Sequence, residues 1–144
     1  TIDGEQCSRL FGLINDFENW PDLERIIRRF AQTRFAKDRV DMHLDLGIVA
    51  EALLTHGDKT TTEVKQRLCT RAAWLLGHSK ADRIAIRKRM SRLYDYRSAA
   101  AHSGKLRGKW ERQDLDDAVE LCRQLIAQTL ERNDFVRDWD PIVF

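Results

Sequence analysis

Apolar residues recur at helical spacing along most of this chain, and few residues interrupt them. The clearest case is an i, i+3, i+4, i+7 stripe formed by Leu23, Ile26, Ile27, Phe30 and Ala31. The chain holds only 7 Gly and 2 Pro, and no segment alternates apolar and polar residues as a half-buried strand does. The pattern predicts an all-α fold, a helical bundle of about five to six helices.

Local signals divide the chain into helices. Pro21 is well placed near the start of the second helix. Thr60 and Glu63 form a capping-box pattern that predicts the start of the fourth, and Ser79 is a suitable cap for the fifth. The segments predicted to be helical are approximately 10–17, 21–31, 42–54, 60–76, 79–102 and 113–132.

Several aromatic residues and histidines lie outside the clearest stripes. Trp74 is expected in the core, and Trp110 is expected to pack at the start of the last long helix. We interpret His43, His56 and His78 as surface or capping residues. The C-terminal tail is expected to pack on the bundle through its apolar residues, which are Phe135, Trp139, Pro141, Ile142 and Phe144.

The length of 144 residues predicts one domain over 1–144, and a start at Thr1 rather than Met fits a piece of a longer protein. The three cysteines are isolated and odd in number, which favours a reducing, cytoplasmic compartment. No run of apolar residues is long enough for a membrane span. The histidines and cysteines lack zinc spacing, and no cofactor is expected, although spacing alone leaves a magnesium site among the many carboxylates open.

Charge is distributed unevenly along the chain. Between Lys80 and Arg112 there are 11 Lys or Arg against 3 Asp or Glu, whereas the rest of the chain has 14 against 20. A basic block beside an acidic body suggests that one face meets a polyanion, although charge runs are more often solvated helix faces. The candidate RNA-binding residues of this block are Arg92, Lys105, Arg107 and Lys109.

Arg97 and His102 lie five positions apart inside this basic block. Arginine offers phosphate a planar fork of donors, and histidine can take or give a proton near neutral pH. Because RNA carries its own nucleophile, the 2′-hydroxyl, such a pair meets the minimum for cleavage without a metal. General acid–base catalysis contributes about 10²–10⁴-fold, and each preorganised donor at the transition state adds about 10²–10³-fold.

Helix geometry complicates this interpretation. Five positions on a helix separate two side chains by about 140°, so Arg97 and His102 do not share one face. A distorted helix end before Gly104 is one solution. The other is a second copy of the helix across a two-fold axis, which the small residues 99–101 would allow to approach closely.

The wider sequence around the pair resembles a known family. The spacing of Arg97 and His102 matches the Arg, four to six residues, His motif of HEPN domains (higher eukaryotes and prokaryotes nucleotide-binding). Residues 93–98, followed by His102 and Gly104, are similar to the YDxRSxxxHxG-type signature of the ApeA-like branch. Residues 63–65 and 71–77 are similar to the helix before that signature, and the resemblance covers about residues 50–130.

This resemblance implies a helical bundle that dimerises and forms its active site at the dimer cleft. Many members are metal-independent endoribonucleases that act in phage defence, toxin–antitoxin systems or RNA processing. The resemblance implies that Arg97 and His102 are the catalytic pair, that Ser98 assists them and that Tyr94 supports them. It also suggests two buried polar partners beneath the site, Glu51 and Arg71.

Two other functions stay open at this point. A HEPN-type domain can also serve as a non-catalytic module that dimerises or binds nucleic acid or nucleotide for a larger defence protein. The chain can also be a purely structural helical interaction domain. The first expectation is a homodimeric endoribonuclease whose partner is RNA.

Overall fold

The computed structural model describes residues 3–36 and 38–143, and within them it contains helices and no strand, which confirms the all-α prediction. The helices are α1 (Gly4–Asp16), α2 (Trp20–Gln32), α3 (Arg39–Leu54), α4 (Val64–Leu76), α5 (Lys80–Ser103), α6 (Arg112–Glu131) and the one-turn α7 (Asp140–Val143). A short 3₁₀ helix, Thr33–Phe35, follows α2 directly.

Helix α5 is the longest element and packs against α3, α4 and α6. Helix α3 also packs against α2 and α6. The core between these helices is apolar, and its fully buried side chains include Leu46, Val49, Leu68, Met90 and Leu125. This arrangement leaves one long face of α5 free at the surface of the bundle.

A side-chain cap and a left-handed glycine fix where α5 begins and ends. The Ser79 hydroxyl accepts from the Asp82 N–H and starts α5, as the sequence predicts. Gly104 ends α5 in the left-handed conformation, with φ of 65°, and its N–H donates to the carbonyl of Ala100. The helix that carries the candidate residues is therefore defined at both ends.

The capping box predicted for the fourth helix is wrong. Helix α4 begins at Val64, and the residue before it, Glu63, has a left-handed backbone with φ of 52° and makes no capping hydrogen bond with its side chain. The Thr60 hydroxyl instead contacts Thr62, and Arg67 donates to the carbonyls of Thr60 and Thr62. An arginine from inside α4 thus holds the loop before the helix, and the N-cap residue makes no capping bond with its side chain.

Two side chains are placed differently from their predictions. Trp74 is 41% exposed rather than in the core, and the Arg83 guanidinium covers part of its ring at 3.9 Å from the centroid. His43 is fully buried rather than at the surface. Helix α3 begins at Arg39, three residues earlier than predicted, so His43 lies one turn inside the helix and faces Tyr96 and the Trp110 indole.

The C-terminal segment packs on the bundle as predicted. Phe135 is 3% exposed and makes an edge contact with Phe17, and Trp139 packs against the core. Phe144, which belongs to the same prediction, lies outside the described residues. None of the helices in the described part of the chain has the length and apolar character needed to cross a membrane.

Candidate functional site

Helix α5 presents Arg97 and His102 on different sides, as its turn of about 3.6 residues requires. Arg97 is half-buried and turns toward α3, whereas His102 is exposed near the C-terminal end of α5. The groove that His102 lines does not include Arg97. Within a single chain, the two side chains therefore do not converge on one phosphate.

Arg97 reaches toward Glu51 by passing over Gly47 of α3. A Cβ atom at Gly47 would overlap Cβ and Cγ of Arg97, so the absence of a side chain there makes room for the arginine stem. Nη2 of Arg97 lies 2.9 Å from Oε2 of Glu51, and both side chains are a little under one third exposed. Within the described residues, that oxygen accepts no hydrogen bond and Nε of Arg97 donates none, so charge alone holds the pair.

His102 lines a groove of about 670 Å³ between the end of α5 and the loop that follows it. The groove brings together several residues that the sequence suggests for the site, from positions as far apart as 92 and 109. The polar side chains that line it are Arg92, Asp95, Tyr96, Ser98, His102, Arg107 and Lys109. An imidazole, a carboxylate, two hydroxyls and three cations thus share one surface.

The cationic wall of this groove is held by Asp114 of α6, whose side chain is only 10% exposed. Its Oδ1 lies 2.6 Å from Nε of Arg92, and its Oδ2 accepts from Arg92, from the Tyr96 hydroxyl at 2.9 Å and from the Glu111 N–H at 2.9 Å. Arg92 also donates to the carbonyl of Lys109 at 3.2 Å. Asp114 therefore connects α5, α6 and the end of the loop between them.

These hydrogen bonds determine the charge state of Asp114. Burial raises the pKa of its carboxyl, but the Glu111 N–H, the Tyr96 hydroxyl and the Arg92 guanidinium outweigh that effect and hold the pKa below its ordinary value. Burial, together with the hydrogen bond to Asp114, raises the pKa of Tyr96. At neutral pH the carboxylate is charged and the phenol is neutral, so Tyr96 acts as a donor.

A second contact, between Trp110 and His43, holds the loop between α5 and α6 on the bundle. The Trp110 indole N–H donates to Nε2 of His43 at 2.8 Å, and the His43 ring lies against Tyr96 with centroids 4.7 Å apart. The Arg39 guanidinium covers the indole at 4.6 Å from its centroid. Trp110 thus packs at the start of α6, as predicted, and holds the loop on the bundle.

The remaining candidates lie elsewhere. Tyr94 is half-buried against the core and lines a second groove farther along α5. Arg71 donates to the carbonyl of Leu54 and to Asp58, and its guanidinium lies 4.9 Å from the Trp139 ring centroid, so it is not placed beneath Arg97. Lys105 is exposed and does not line the groove of His102.

Sequence reasoning missed Asp114, although a local signal for it exists. Glu111 and Asp114 form a reciprocal capping box at the start of α6. That spacing indicates a helix start, but it does not indicate that the same carboxylate also binds Arg92, 22 positions earlier. The partnership depends on how α5 and α6 pack, which no local pattern contains.

No group of three or more His, Cys, Asp or Glu side chains in residues 3–36 and 38–143 has an arrangement that could hold a metal ion. No protein-family model matches the chain, and no curated protein and no solved structure is significantly similar to it.

Proposed function

We propose that this chain is an endoribonuclease that cleaves RNA without a metal and acts as a homodimer. The observation that carries the proposal is the groove in which His102 lies beside Ser98 and three cations. Its volume of about 670 Å³ is within the range of ligand sites, roughly 300–1,000 Å³. The resemblance of residues 93–104 to the HEPN signature supports the same reaction and a role in phage defence or toxin-type RNA degradation.

The chemistry follows from the side chains present. The 2′-hydroxyl oxygen attacks the adjacent phosphorus, its proton passes to a base, and the bond from phosphorus to the 5′-oxygen breaks as that oxygen receives a proton. His102 serves as the base or the acid in this exchange, and guanidinium groups stabilise the charge on the phosphorane-like transition state. The products are a 2′,3′-cyclic phosphate and a 5′-hydroxyl.

A second copy of the chain is part of the proposal because Arg97 faces away from the groove of His102. Arg97 stays partly exposed beside Glu51, with 27% of its side chain accessible. In a two-fold dimer, Arg97 of one protomer can approach the groove of its partner, which brings guanidinium and imidazole to one phosphodiester.

The test is cleavage of single-stranded RNA in the presence of EDTA. We expect wild type to release 2′,3′-cyclic phosphate ends, and His102→Ala to slow cleavage by about 10²-fold or more. His78→Ala is the matched control, because His78 is an exposed histidine outside the groove, and it should cut like wild type. Intact RNA with wild type, or equal cutting by His102→Ala, would contradict the proposal.

A second candidate function is nucleic-acid binding without turnover, as a module of a larger protein. It is favoured by one observation, the pairing of Arg97 with Glu51 on the side of α5 away from His102. This candidate predicts salt-dependent RNA binding with no new product ends under any condition tested. Measuring binding and product ends on the same RNA therefore separates the two functions.

A further inference from the structure

The outward face of α5 carries one stripe of side chains from its second turn to its last. Positions 84, 88, 91, 95, 98 and 102 are separated alternately by four and three residues, the spacing that keeps side chains on one face of a helix. The stripe consists of Ile84, Lys88, Ser91, Asp95, Ser98 and His102, all of them exposed or half-buried. At 1.5 Å per residue the stripe is about 27 Å long.

Two grooves lie along this stripe and adjoin each other. The larger, of about 1240 Å³, runs beside α5 from Ile84 to Tyr96, with Glu63 and α4 residues 64–66 and 69 on one side and Asp114 and Asp117 of α6 on the other. The smaller is the groove of His102. Both are lined by Arg92, Asp95 and Tyr96, so they adjoin along α5, and together they are called the trench here, with His102 at its end.

The trench carries more cations than carboxylates. Its carboxylates are Glu63, Asp95, Asp114 and Asp117. Its seven lysines and arginines are Lys65, Arg87, Lys88, Arg89, Arg92, Arg107 and Lys109. Cations therefore exceed carboxylates by three, which makes the trench a better surface for a polyanion than the acidic remainder of the chain.

Charges that remain unpaired lie toward both ends of the trench. Arg87 donates only to uncharged oxygens, those of Thr70 and Gln66. Among the described residues, Lys88 and Arg107 have no carboxylate oxygen within 4.0 Å. In the middle, Arg92 and Lys65 are already paired, with Asp114 and Asp95. A polyanion that spans the trench would therefore meet free cations at both of its ends.

We propose that the trench is a binding track for a single strand of RNA, which it leads along α5 to His102. This inference rests on the proposed function, which identifies the polymer as RNA. It adds that the bound RNA is a single strand and states how long that strand must be to fill the site. About eight stacked nucleotides at ~3.4 Å each cover the stripe, and an extended strand needs about half as many.

Two features favour a single strand over other occupants. The trench has apolar side chains among its cations, Val64, Ile84 and Tyr94 among them, against which unpaired bases can lie, whereas a duplex buries its base faces. A partner helix would need an apolar seam, but five of the six stripe residues are polar or charged. Ile84 is the exception, with 48% of its surface exposed.

Binding to a strand that cannot be cut tests the track separately from catalysis. The probe is a labelled oligouridylate with 2′-O-methyl groups, which lack the nucleophile, in lengths of roughly four, eight, twelve and sixteen nucleotides. We expect affinity to rise with length and to level off near eight nucleotides. Lys88→Gln and Arg107→Gln should each weaken binding of the longest strand about fivefold at ~0.1 M salt, the effect of one lost phosphate contact.

Lys59→Gln is the matched control, since Lys59 is an exposed lysine that lies outside the trench. It should bind like wild type, and an RNA duplex of equal length should bind weakly to all three variants. The track is overturned if Lys88→Gln and Lys59→Gln bind equally, if the duplex competes as well as the strand, or if Lys88→Gln changes the oligomeric state instead of RNA affinity.

The outcomes also separate this inference from the proposed function. A protein that binds the long strand through Lys88 and Arg107, but never cuts ordinary RNA, has the track and lacks the nuclease activity. A protein that cuts RNA, but whose binding is unchanged by both substitutions, is a nuclease whose substrate follows another path.

Discussion

Trp110 fixes the tautomer of His43. An indole N–H can only donate, so Nε2 of His43, 2.8 Å away, is the acceptor and Nδ1 carries the proton. That Nδ1 is buried and has no partner within the described residues. Burial lowers the pKa of His43 to about 4, an effect that nearby Arg39 reinforces and Asp114 opposes. The neutral ring is therefore part of the folded state, and protonation would break its hydrogen bond to Trp110.

This buried histidine predicts acid sensitivity of the fold. Unfolded His43 has a pKa near 6.5, so between pH 6.5 and about 4 the unfolded chain binds more protons than the folded one. Stability is fully present above that window and falls as the pH drops through it. Urea unfolding at about pH 7.5 and about pH 5 should show a loss on the order of 2 kcal/mol from this group.

The variant His43→Gln isolates the effect, since a glutamine amide oxygen can still accept from Trp110 but does not titrate. Its unfolding free energy should fall less between the two pH values, whereas His78→Gln, a substitution of an exposed histidine, should behave like wild type. An equal fall in all three proteins would show that His43 does not cause the acid sensitivity.

At the scale of helices, α3 and α5 approach closely where Gly47 meets the stem of Arg97. Gly47→Ala would place a methyl group against Cβ and Cγ of Arg97, close to the α5 backbone, where a flexible side-chain end cannot simply swing away. The strain of overpacking, about 1–3 kcal/mol, exceeds the gain of up to about 1 kcal/mol in helix propensity. We expect net destabilisation of about 1–2 kcal/mol in urea unfolding.

Gly12→Ala is the control for this prediction. Gly12 also lies inside a helix, but a Cβ there meets no atom within 4 Å. It should leave stability unchanged or raise it by up to about 1 kcal/mol. If Gly47→Ala is as stable as Gly12→Ala, the close approach does not constrain the two helices.

The sequence predicts some features of the helices well and others not at all. Local signals suffice for α5, whose cap at Ser79 and stop at Gly104 are as expected, and the angle between Arg97 and His102 follows from helix geometry alone. Contacts between distant segments are not predictable in this way. Periodicity does not indicate that Asp114 binds Arg92 or that Arg83 covers Trp74. It also does not indicate that the loop before α6 encloses His43. Each of these contacts depends on how the helices pack against one another.

At the scale of the whole molecule, the two residues of the proposed catalytic pair lie on two surfaces of the chain. The groove of His102 lies on the outward face of α5, and Arg97 lies on the side that meets α3. A two-fold axis would place the Arg97 surface of each copy near the groove of the other. The proposed dimer would then be a condition for activity, and each active site would draw on both protomers.

Mixing two inactive variants tests this arrangement. Arg97→Ala and His102→Ala should each be inactive alone, because each homodimer lacks one group in both composite sites. If subunits exchange randomly, about half of the mixed dimers are heterodimers, and each has one site with both groups intact, so the mixture should recover about a quarter of wild-type cleavage.

The control is a mixture of His102→Ala with the double variant Arg97→Ala/His102→Ala, which no pairing can rescue, since no subunit in it carries the imidazole. Recovery only in the first mixture requires that guanidinium and imidazole come from different chains. The opposite outcome is that activity does not recover although mass labelling verifies subunit exchange and each variant is dimeric. The two groups would then act within one chain or not at all. Because Arg97 and His102 are separated on α5, that outcome would favour the binding module over the nuclease.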